Sequence, residues 1–139
     1  MIMPRIEIDL GKIAHNAKIL KELYGSKGID VIGVTKAVCG APAVAKVLVK
    51  SGINILADSR IENIIKMHDA DIHAQFLLLR TPLSQSESIV KYADISLNSG
   101  LSVIKELSKY AVKQGITHKI ILMVELGDLR EGIMSSDLE

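Results

Sequence analysis

Five short apolar runs, separated by longer stretches of helical period, constrain the fold of this chain more than any other feature of its sequence. The last run is apolar at every position from 120 to 124, and an apolar segment without alternation is typical of a strand buried on both faces of a parallel sheet. Strands that alternate with helices indicate an α/β fold with parallel pairing and right-handed crossovers. The five runs occupy residues 31–35, 53–57, 76–79, 95–97 and 120–126.

The stretches between these runs carry the start and stop signals of helices. Ser59 and Ser84 each precede a glutamate by three residues, Glu62 and Glu87, and this spacing predicts a capping box at the start of two helices. The other helices are predicted from N-caps, from proline in the first turn and from glycine at the end. These signals are Asp9 and Gly25 for the first helix, Pro42 and Gly52 for the second, and Ser99 and Gly115 for the last.

Two architectures accommodate one helix followed by four strand–helix units and a fifth strand: an open, doubly wound sheet or part of a (β/α)8 barrel. A complete barrel typically needs about 250 residues, which favours the open sheet for a chain of 139 residues. The end of the sequence favours the barrel, because Ser135 or Ser136 could cap another helix and none follows. That ending predicts one partial domain, residues 1–139, truncated after about five strands. The residue pattern alone leaves both architectures open.

Composition and charge argue against several classes of function. Lys and Arg number 17 against 16 Asp and Glu, a net charge of +1, which leaves no basic surface for nucleic acid or an anionic membrane. Aromatic residues make up 3% of the chain, without Trp, so base-stacking platforms are not expected. The single cysteine, Cys39, fits a reducing compartment. Since neither a signal-like N-terminus nor a membrane-spanning run is present, the sequence predicts a soluble cytoplasmic protein.

Lys36 is the candidate for covalent chemistry. Ligands of parallel α/β folds bind at the carboxyl ends of the strands, and Lys36 follows the first apolar run. Its apolar neighbours Val34, Ala37 and Val38 predict partial removal from water, which favours the neutral amine that attacks carbonyl groups to form a Schiff base. The alternative is a lysine that lies at the rim of the sheet and extends its ammonium into solvent.

Arg130 is the second candidate, because it follows the fifth run between Gly127 and Gly132. Glycines let the backbone approach a ligand closely, and a guanidinium suits a phosphate, carboxylate or phenolate oxygen. The alternative is a surface arginine paired with Asp128 or Glu131. Arg80, after the third run, is a weaker candidate of the same kind. No metal site is predicted, because the four histidines show no metal-ligand spacing with Cys or acidic residues.

Five segments resemble, in order along the whole chain, the alanine/ornithine racemase family of enzymes that use pyridoxal phosphate (PLP). They match the family's opening strand and helix, its cofactor-lysine segment, and the ends of its second, fourth and fifth barrel strands. The segments are residues 4–10 (PRIEIDL, with His15-Asn16 following), 34–40 (VTKAVCG), 58–63 (DSRIEN), 93–99 (ADISLNS) and 123–132 (MVELGDLREG).

The resemblance implies that the chain is the N-terminal portion of a PLP-binding (β/α)8 barrel and works on a small amino-acid substrate. Lys36 would hold PLP as a Schiff base and, once released, act as general base or acid on one face of the substrate α-carbon. Arg130 matches the family arginine that approaches the cofactor's phenolic oxygen or the substrate carboxylate. Ser59 and Asn98 would contact the cofactor at the mouth of the site, and Arg80 would contact the substrate.

Two departures refine this prediction. Alanine racemases carry a Tyr-Gly-His-Gly-like stretch after the lysine, whereas residues 38–42 here read VCGAP, which favours ornithine or a related amino acid. The later strands and second domain of the family are absent, and with them the phosphate cradle and the opposite-face base, which comes from the other subunit of a homodimer. The chain alone is therefore expected to be inactive. The alternatives are a PLP-binding homeostasis protein of the same barrel type and a non-enzymatic α/β binding module.

Overall fold

The computed structural model describes residues 5–137, so Pro4 of the opening segment lies outside the described residues. Strands and helices alternate after an initial helix, as the apolar runs predict. The helices are α1 (Leu10–Gly25), α2 (Pro42–Lys50), α3 (Ile61–His68), α4 (Ser86–Tyr92) and α5 (Leu101–Gln114). The strands are β1 (Gly33–Val34), β2 (Ile55–Asp58), β3 (Gln75–Leu78), β4 (Ile95–Asn98) and β5 (Lys119–Leu122).

The strands form one parallel sheet in the order β1-β2-β3-β4-β5. In a doubly wound sheet the first strand lies between others, whereas β1 here lies at an edge and pairs only with β2. The consecutive order is that of a barrel wall, and the prediction of a partial barrel is confirmed. Since the strands are parallel, their carboxyl ends meet at one edge of the sheet.

The first helix has both ends that the sequence predicts, whereas the last helix has only its predicted end at Gly115, because it begins at Leu101 after Gly100 and not at Ser99. The Asp9 side chain accepts a hydrogen bond from the Lys12 backbone N–H at 3.0 Å and caps α1. Gly115 ends α5 with φ of +67°, in the left-handed region where glycine is favoured. None of the helices within residues 5–137 has the length and apolar character that crossing a bilayer requires.

The two predicted capping boxes are wrong. The N-cap residue of α3 is Arg60, and that of α4 is Gln85; neither makes a side-chain capping bond. Before α3, the carboxylate of Asp58 accepts the backbone N–H of the N-cap residue Arg60 at 3.1 Å. Ser84 lies inside a 3-10 turn, Leu83–Gln85, that precedes α4.

The hydrophobic core lies between the middle of the sheet and the helices α3 and α4. Leu56 of β2, Ile64 of α3, Leu78 of β3 and Ile89 of α4 are all fully buried. These elements come from the centre of the chain, so the core stabilises the three middle strands most. The strand ends that carry the candidate site residues are therefore anchored on the best-packed part of the molecule.

β5 corrects the prediction that the fifth run is a strand buried on both faces. All four of its residues are exposed, Ile121 to 45%. β5 pairs only with β4 and forms the second edge of the sheet, so one of its sides has no strand beside it in the described residues. The apolar residues of β5 fit a strand of a closed barrel. The sheet that the described residues form is open at β5.

We expect the isolated chain to self-associate through this edge, because unpaired strand edges with exposed apolar side chains template pairing between molecules. Ile121→Lys, which places a charge on β5, should shift the sedimentation-equilibrium mass towards that of a single chain. Leu83→Lys is the matched control, since Leu83 is 52% exposed but lies in the 3-10 turn before α4, outside the edge strands. A parent chain that stays monomeric at high concentration contradicts the prediction.

Candidate functional site

A cavity of about 410 Å³ lies at the carboxyl ends of the strands, and we call it the strand-end cavity. Four of the five predicted site residues line it: Ser59 after β2, Arg80 after β3, Asn98 at the end of β4 and Arg130 beyond β5. They are separated by up to 71 residues in sequence and are brought together by the parallel register of the sheet. Leucine, valine and methionine side chains complete the wall beside them.

Lys36, the fifth predicted residue, does not line this cavity. It begins a 3-10 turn, Lys36–Val38, directly after β1, and its side chain is exposed. The predicted partial removal of Lys36 from water is therefore wrong for the described residues. The reason is that β1 is an edge strand, so that the turn that follows it is covered on one side only.

A buried hydrogen-bond network fixes the turn that carries Lys36. Asp58 at the end of β2 is fully buried. One of its oxygens accepts the Thr35 hydroxyl at 2.8 Å, and the other accepts the Asn63 amide at 2.9 Å as well as the Arg60 N–H. The carboxylate thus ties the residue before Lys36 to the start of α3. Sequence reasoning did not single out Asp58, although an acidic residue that directly follows an apolar strand is the available signal.

The far end of the Lys36 turn is also held against α3. Gly40 has φ of +60°, and a Cβ atom there would lie 2.8 Å from the backbone oxygen of Asn63, so only glycine fits this close approach. The Lys66 ammonium donates to the Cys39 carbonyl at 3.2 Å. The backbone position of Lys36 is therefore defined even though its side chain extends into solvent.

The loop that carries Arg130 is built around one carboxylate. Glu125 accepts the backbone N–H groups of Leu129, at 3.1 Å, and of Gly127, and these bonds lower the pKa of the Glu125 carboxyl. Ile133 closes the loop by two backbone hydrogen bonds, one to Glu125 and one to Met123, both 2.9 Å. A charged carboxylate at its centre holds this loop in one shape, and Arg130 leaves it towards the strand-end cavity.

The guanidinium groups of Arg80 and Arg130 are free to bind a ligand. Both side chains are exposed, and neither takes part in an ion pair within residues 5–137. The alternative interpretation of Arg130, a pair with Asp128 or Glu131, is not what the structure shows, since only the Arg130 backbone N–H contacts Asp128, at 3.4 Å. Two unpaired guanidinium groups on one cavity attract an anionic ligand.

Asn98 supplies the buried polar group of the cavity. Its side chain is 3% exposed, and its Nδ2 donates to the Ser96 carbonyl at 3.0 Å and to the Ser96 hydroxyl at 2.9 Å. Its Oδ1 is buried and has no hydrogen-bond partner among residues 5–137. A buried acceptor without a partner is costly, and the described residues leave Oδ1 available to a further hydrogen-bond donor.

His118 is the last member of a hydrogen-bond network behind Asn98 that the sequence did not predict. Its Nδ1 lies 3.0 Å from the Ala93 carbonyl, and its Nε2 lies 2.8 Å from the Ser96 hydroxyl. Because a carbonyl can only accept, Nδ1 carries the proton and donates it. Burial lowers the pKa of His118, against the opposing effects of the Ala93 bond and the Asp94 carboxylate. The ring is therefore neutral near pH 7, and Nε2 accepts from Ser96.

Comparisons with known proteins identify related sequences and a related fold. The sequence profile of the family described as "Alanine racemase, N-terminal domain" matches residues 8–139. A lysine racemase of Thermotoga maritima is 40% identical over 134 residues, and an ornithine racemase of Acetoanaerobium sticklandii is 40% identical over 135 residues. Both matches cover 96% of this chain but only 38% of the relative.

The solved structure of an alanine racemase from Clostridium difficile 630 has a similar fold. It matches with a TM-score of 0.76 and 26% sequence identity over 90% of this chain, which corresponds to 33% of that structure. The chain therefore spans between a third and two fifths of the length of these relatives.

Proposed function

Because the chain belongs to the family of the alanine racemase N-terminal domain, we propose that the protein is a PLP-dependent amino-acid racemase with a basic amino acid, ornithine or lysine, as its substrate. The chain forms the first five strands of the family's (β/α)8 barrel. The observation that carries the proposal is the strand-end cavity, where Arg80, Arg130 and Asn98 present groups that have no partner among residues 5–137.

These residues fit PLP, the cofactor of this family. PLP carries anionic oxygens as well as hydrogen-bonding ring substituents, and the cavity offers two free guanidinium groups together with the unpartnered Asn98 Oδ1. Lys36 would hold the cofactor, since it follows β1, the neighbour of the strand that leads to Ser59. Arg130 and Ser59 would contact it with Asn98, and Arg80 would bind the carboxylate of the amino acid.

The separate roles of the cofactor and of this chain's residues follow from this placement. PLP, when bound, would supply the electron withdrawal that makes the proton of the substrate α-carbon removable. The Lys36 amine would hold the cofactor covalently and, when released from it, would take the α-proton or return it on one face. Its defined backbone, held by Thr35 and Asp58, limits the positions that Nζ can reach. In this proposal the group on the opposite face comes from the partner subunit of a homodimer.

The preference for a basic substrate rests on two observations. Lysine and ornithine racemases match this chain at 40% identity, whereas six alanine racemase sequences match at 29–34% and the Clostridium difficile structure at 26%. Residues 38–42 also lack the stretch that alanine racemases carry after the lysine. The test is to incubate the protein expressed from the complete gene and PLP with L-ornithine, L-lysine and L-alanine in turn and to measure the D-enantiomers by chiral chromatography. Faster turnover of alanine than of both basic amino acids contradicts the preference.

Arg130→Ala should slow turnover while leaving cofactor attachment intact. The substitution removes one charge-assisted hydrogen bond, typically about 1.5–3 kcal/mol, which corresponds to roughly a ten- to hundredfold loss of kcat/KM. Attachment is measured by absorbance and by borohydride trapping, and turnover by the chiral assay. Arg60→Ala is the matched control, because Arg60 is exposed beside the same edge but does not line the cavity. Equal rates for both variants rule out a role for Arg130.

A further inference from the structure

When the His118 ring is neutral, the hydrogen-bond network from Asn98 through Ser96 to His118 has only one direction that pairs both ring nitrogens and the Ser96 hydroxyl. The Ala93 carbonyl must accept from Nδ1 of His118, so Nε2 must accept from the Ser96 hydroxyl. The Ser96 oxygen in turn accepts from Asn98 Nδ2. This orients the Asn98 amide so that its Oδ1 is the one atom of this hydrogen-bond network that has no partner among the described residues.

We propose that Ser96 and His118 are positioning residues that fix Asn98 Oδ1 as a hydrogen-bond acceptor at the cavity, where it receives an N–H or O–H group of an anionic ligand. The anionic character of the ligand follows from Arg80 and Arg130 on the same cavity. An amino acid, with its carboxylate and ammonium, has this chemistry, and so does PLP, with its phosphate and its protonated ring groups. The identification of these two ligands rests on the proposed function; the fixed direction of the hydrogen bonds does not.

Protonation of His118 would break this arrangement. With a hydrogen on Nε2 the ring donates to Ser96, and the fully buried Ser96 hydroxyl hydrogen then has no acceptor. It could find one only if the Asn98 amide rotated, which would turn Nδ2 towards the ligand and bring Oδ1 against the Ser96 carbonyl. Ligand binding and protonation of His118 therefore oppose each other, and by linkage each lowers the affinity for the other.

The charged groups around the His118 ring do not remove the opposition between ligand binding and protonation of His118. Asp94 favours the protonated form, but its carboxylate is also engaged by the Phe76 backbone N–H at 2.7 Å. Lys119, the next residue of β5, is exposed. The α5 residues on the same side of the ring, which include Leu107, Ser108 and Ala111, are uncharged. Arg80, Arg130 and Glu131 lie on the other side of the network, at the cavity.

The first test determines the direction of the hydrogen bonds between His118, Ser96 and Asn98 in the absence of any ligand. Two-bond ¹H–¹⁵N spectra of the purified, histidine-labelled protein report which ring nitrogen of each histidine carries the proton, and the His118→Gln variant assigns the signals. We expect His118 to be neutral at pH 7 with its proton on Nδ1. A proton on Nε2, or a charged ring at that pH, overturns the inference.

The second test measures binding of PLP alone and of L-ornithine alone between pH 5 and 8. Glutamine at position 118 keeps one acceptor and one donor but does not titrate. The ratio of the parent Kd to the His118→Gln Kd cancels the titration of the ligand itself, and it should rise tenfold per pH unit below the pKa of His118 for whichever ligand contacts Asn98. That ligand should also lower the pKa of His118 in the NMR titration.

The outcomes separate the two proposals. A constant ratio across this pH range for both ligands overturns the role of His118 but leaves the racemase proposal standing. Failure of both ligands to bind at pH 8 contradicts the racemase proposal, and the proton position on His118 then decides the direction of the network alone. If His118→Gln does not fold, Ser96→Ala replaces it, because cutting the middle link should likewise flatten the pH dependence of binding.

Discussion

In the protein expressed from the complete gene, Lys36→Ala should abolish both the attachment of PLP and the racemisation of amino acids. The alanine side chain offers no amine for the covalent bond to the cofactor and no group to move the α-proton. Lys36→Arg should fail as well, since a guanidinium keeps its charge but does not supply a neutral amine. The measurements are the cofactor absorbance, peptide mapping after borohydride reduction, and chiral analysis of the product.

Lys46→Ala is the control for the loss of a lysine. Lys46 is exposed on α2, only ten residues from Lys36, and it does not line the strand-end cavity. The control variant should keep the trapped adduct and the parent rate. If Lys36→Ala still racemised amino acids at the parent rate, or if the reduced cofactor mapped to Lys12, Lys46 or Lys66, the assignment of Lys36 would be wrong.

The sequence predicts the parts of this fold that depend on local pattern. The periodicity of the hydrophobic residues and the start and stop signals of the helices place all five strands and five helices within a few residues of where they occur. The convergence of Ser59, Arg80, Asn98 and Arg130 follows as well, because residues after parallel strands must meet at one edge of the sheet. The choice between a barrel wall and a doubly wound sheet depends on strand order, which the periodicity of one chain does not encode.

The environment of single side chains was less predictable. The apolar run of β5 suits a fully covered strand, yet Ile121 is exposed because coverage depends on elements beyond the strand itself. Lys36 is exposed for the same reason. The networks of Asp58 and His118 depend on which residues stand opposite each other in the parallel register, as Ser96 does with Ile120. Neither register nor the direction of a hydrogen bond leaves a signal in sequence spacing.

Asp58→Ala should be among the most destabilising single substitutions in the chain. It leaves the Asn63 amide and the Arg60 N–H without their acceptor, and it removes the shorter of the two bonds of the buried Thr35 hydroxyl, whose other partner is the Ala57 carbonyl at 3.2 Å. Unsatisfied groups of this kind cost about 1–3 kcal/mol each. Solvent can reach those groups of the Asp58 network that are only half buried. We therefore expect Asp58→Ala to lower the free energy of unfolding by about 2–4 kcal/mol.

Two further variants separate the hydrogen bonds of Asp58 from its charge and from general effects of substitution. Asp58→Asn keeps an oxygen for Arg60 and Asn63, and its amide can donate to the Thr35 oxygen while the Thr35 hydroxyl donates to Ala57. It should therefore cost less, about 1–2 kcal/mol. Asp69→Ala, at an exposed carboxylate that follows α3, should stay within about 0.5 kcal/mol of the parent. Urea unfolding followed by circular dichroism measures all three, and an Asp58→Ala protein as stable as Asp69→Ala would show that the network does not hold the Lys36 turn.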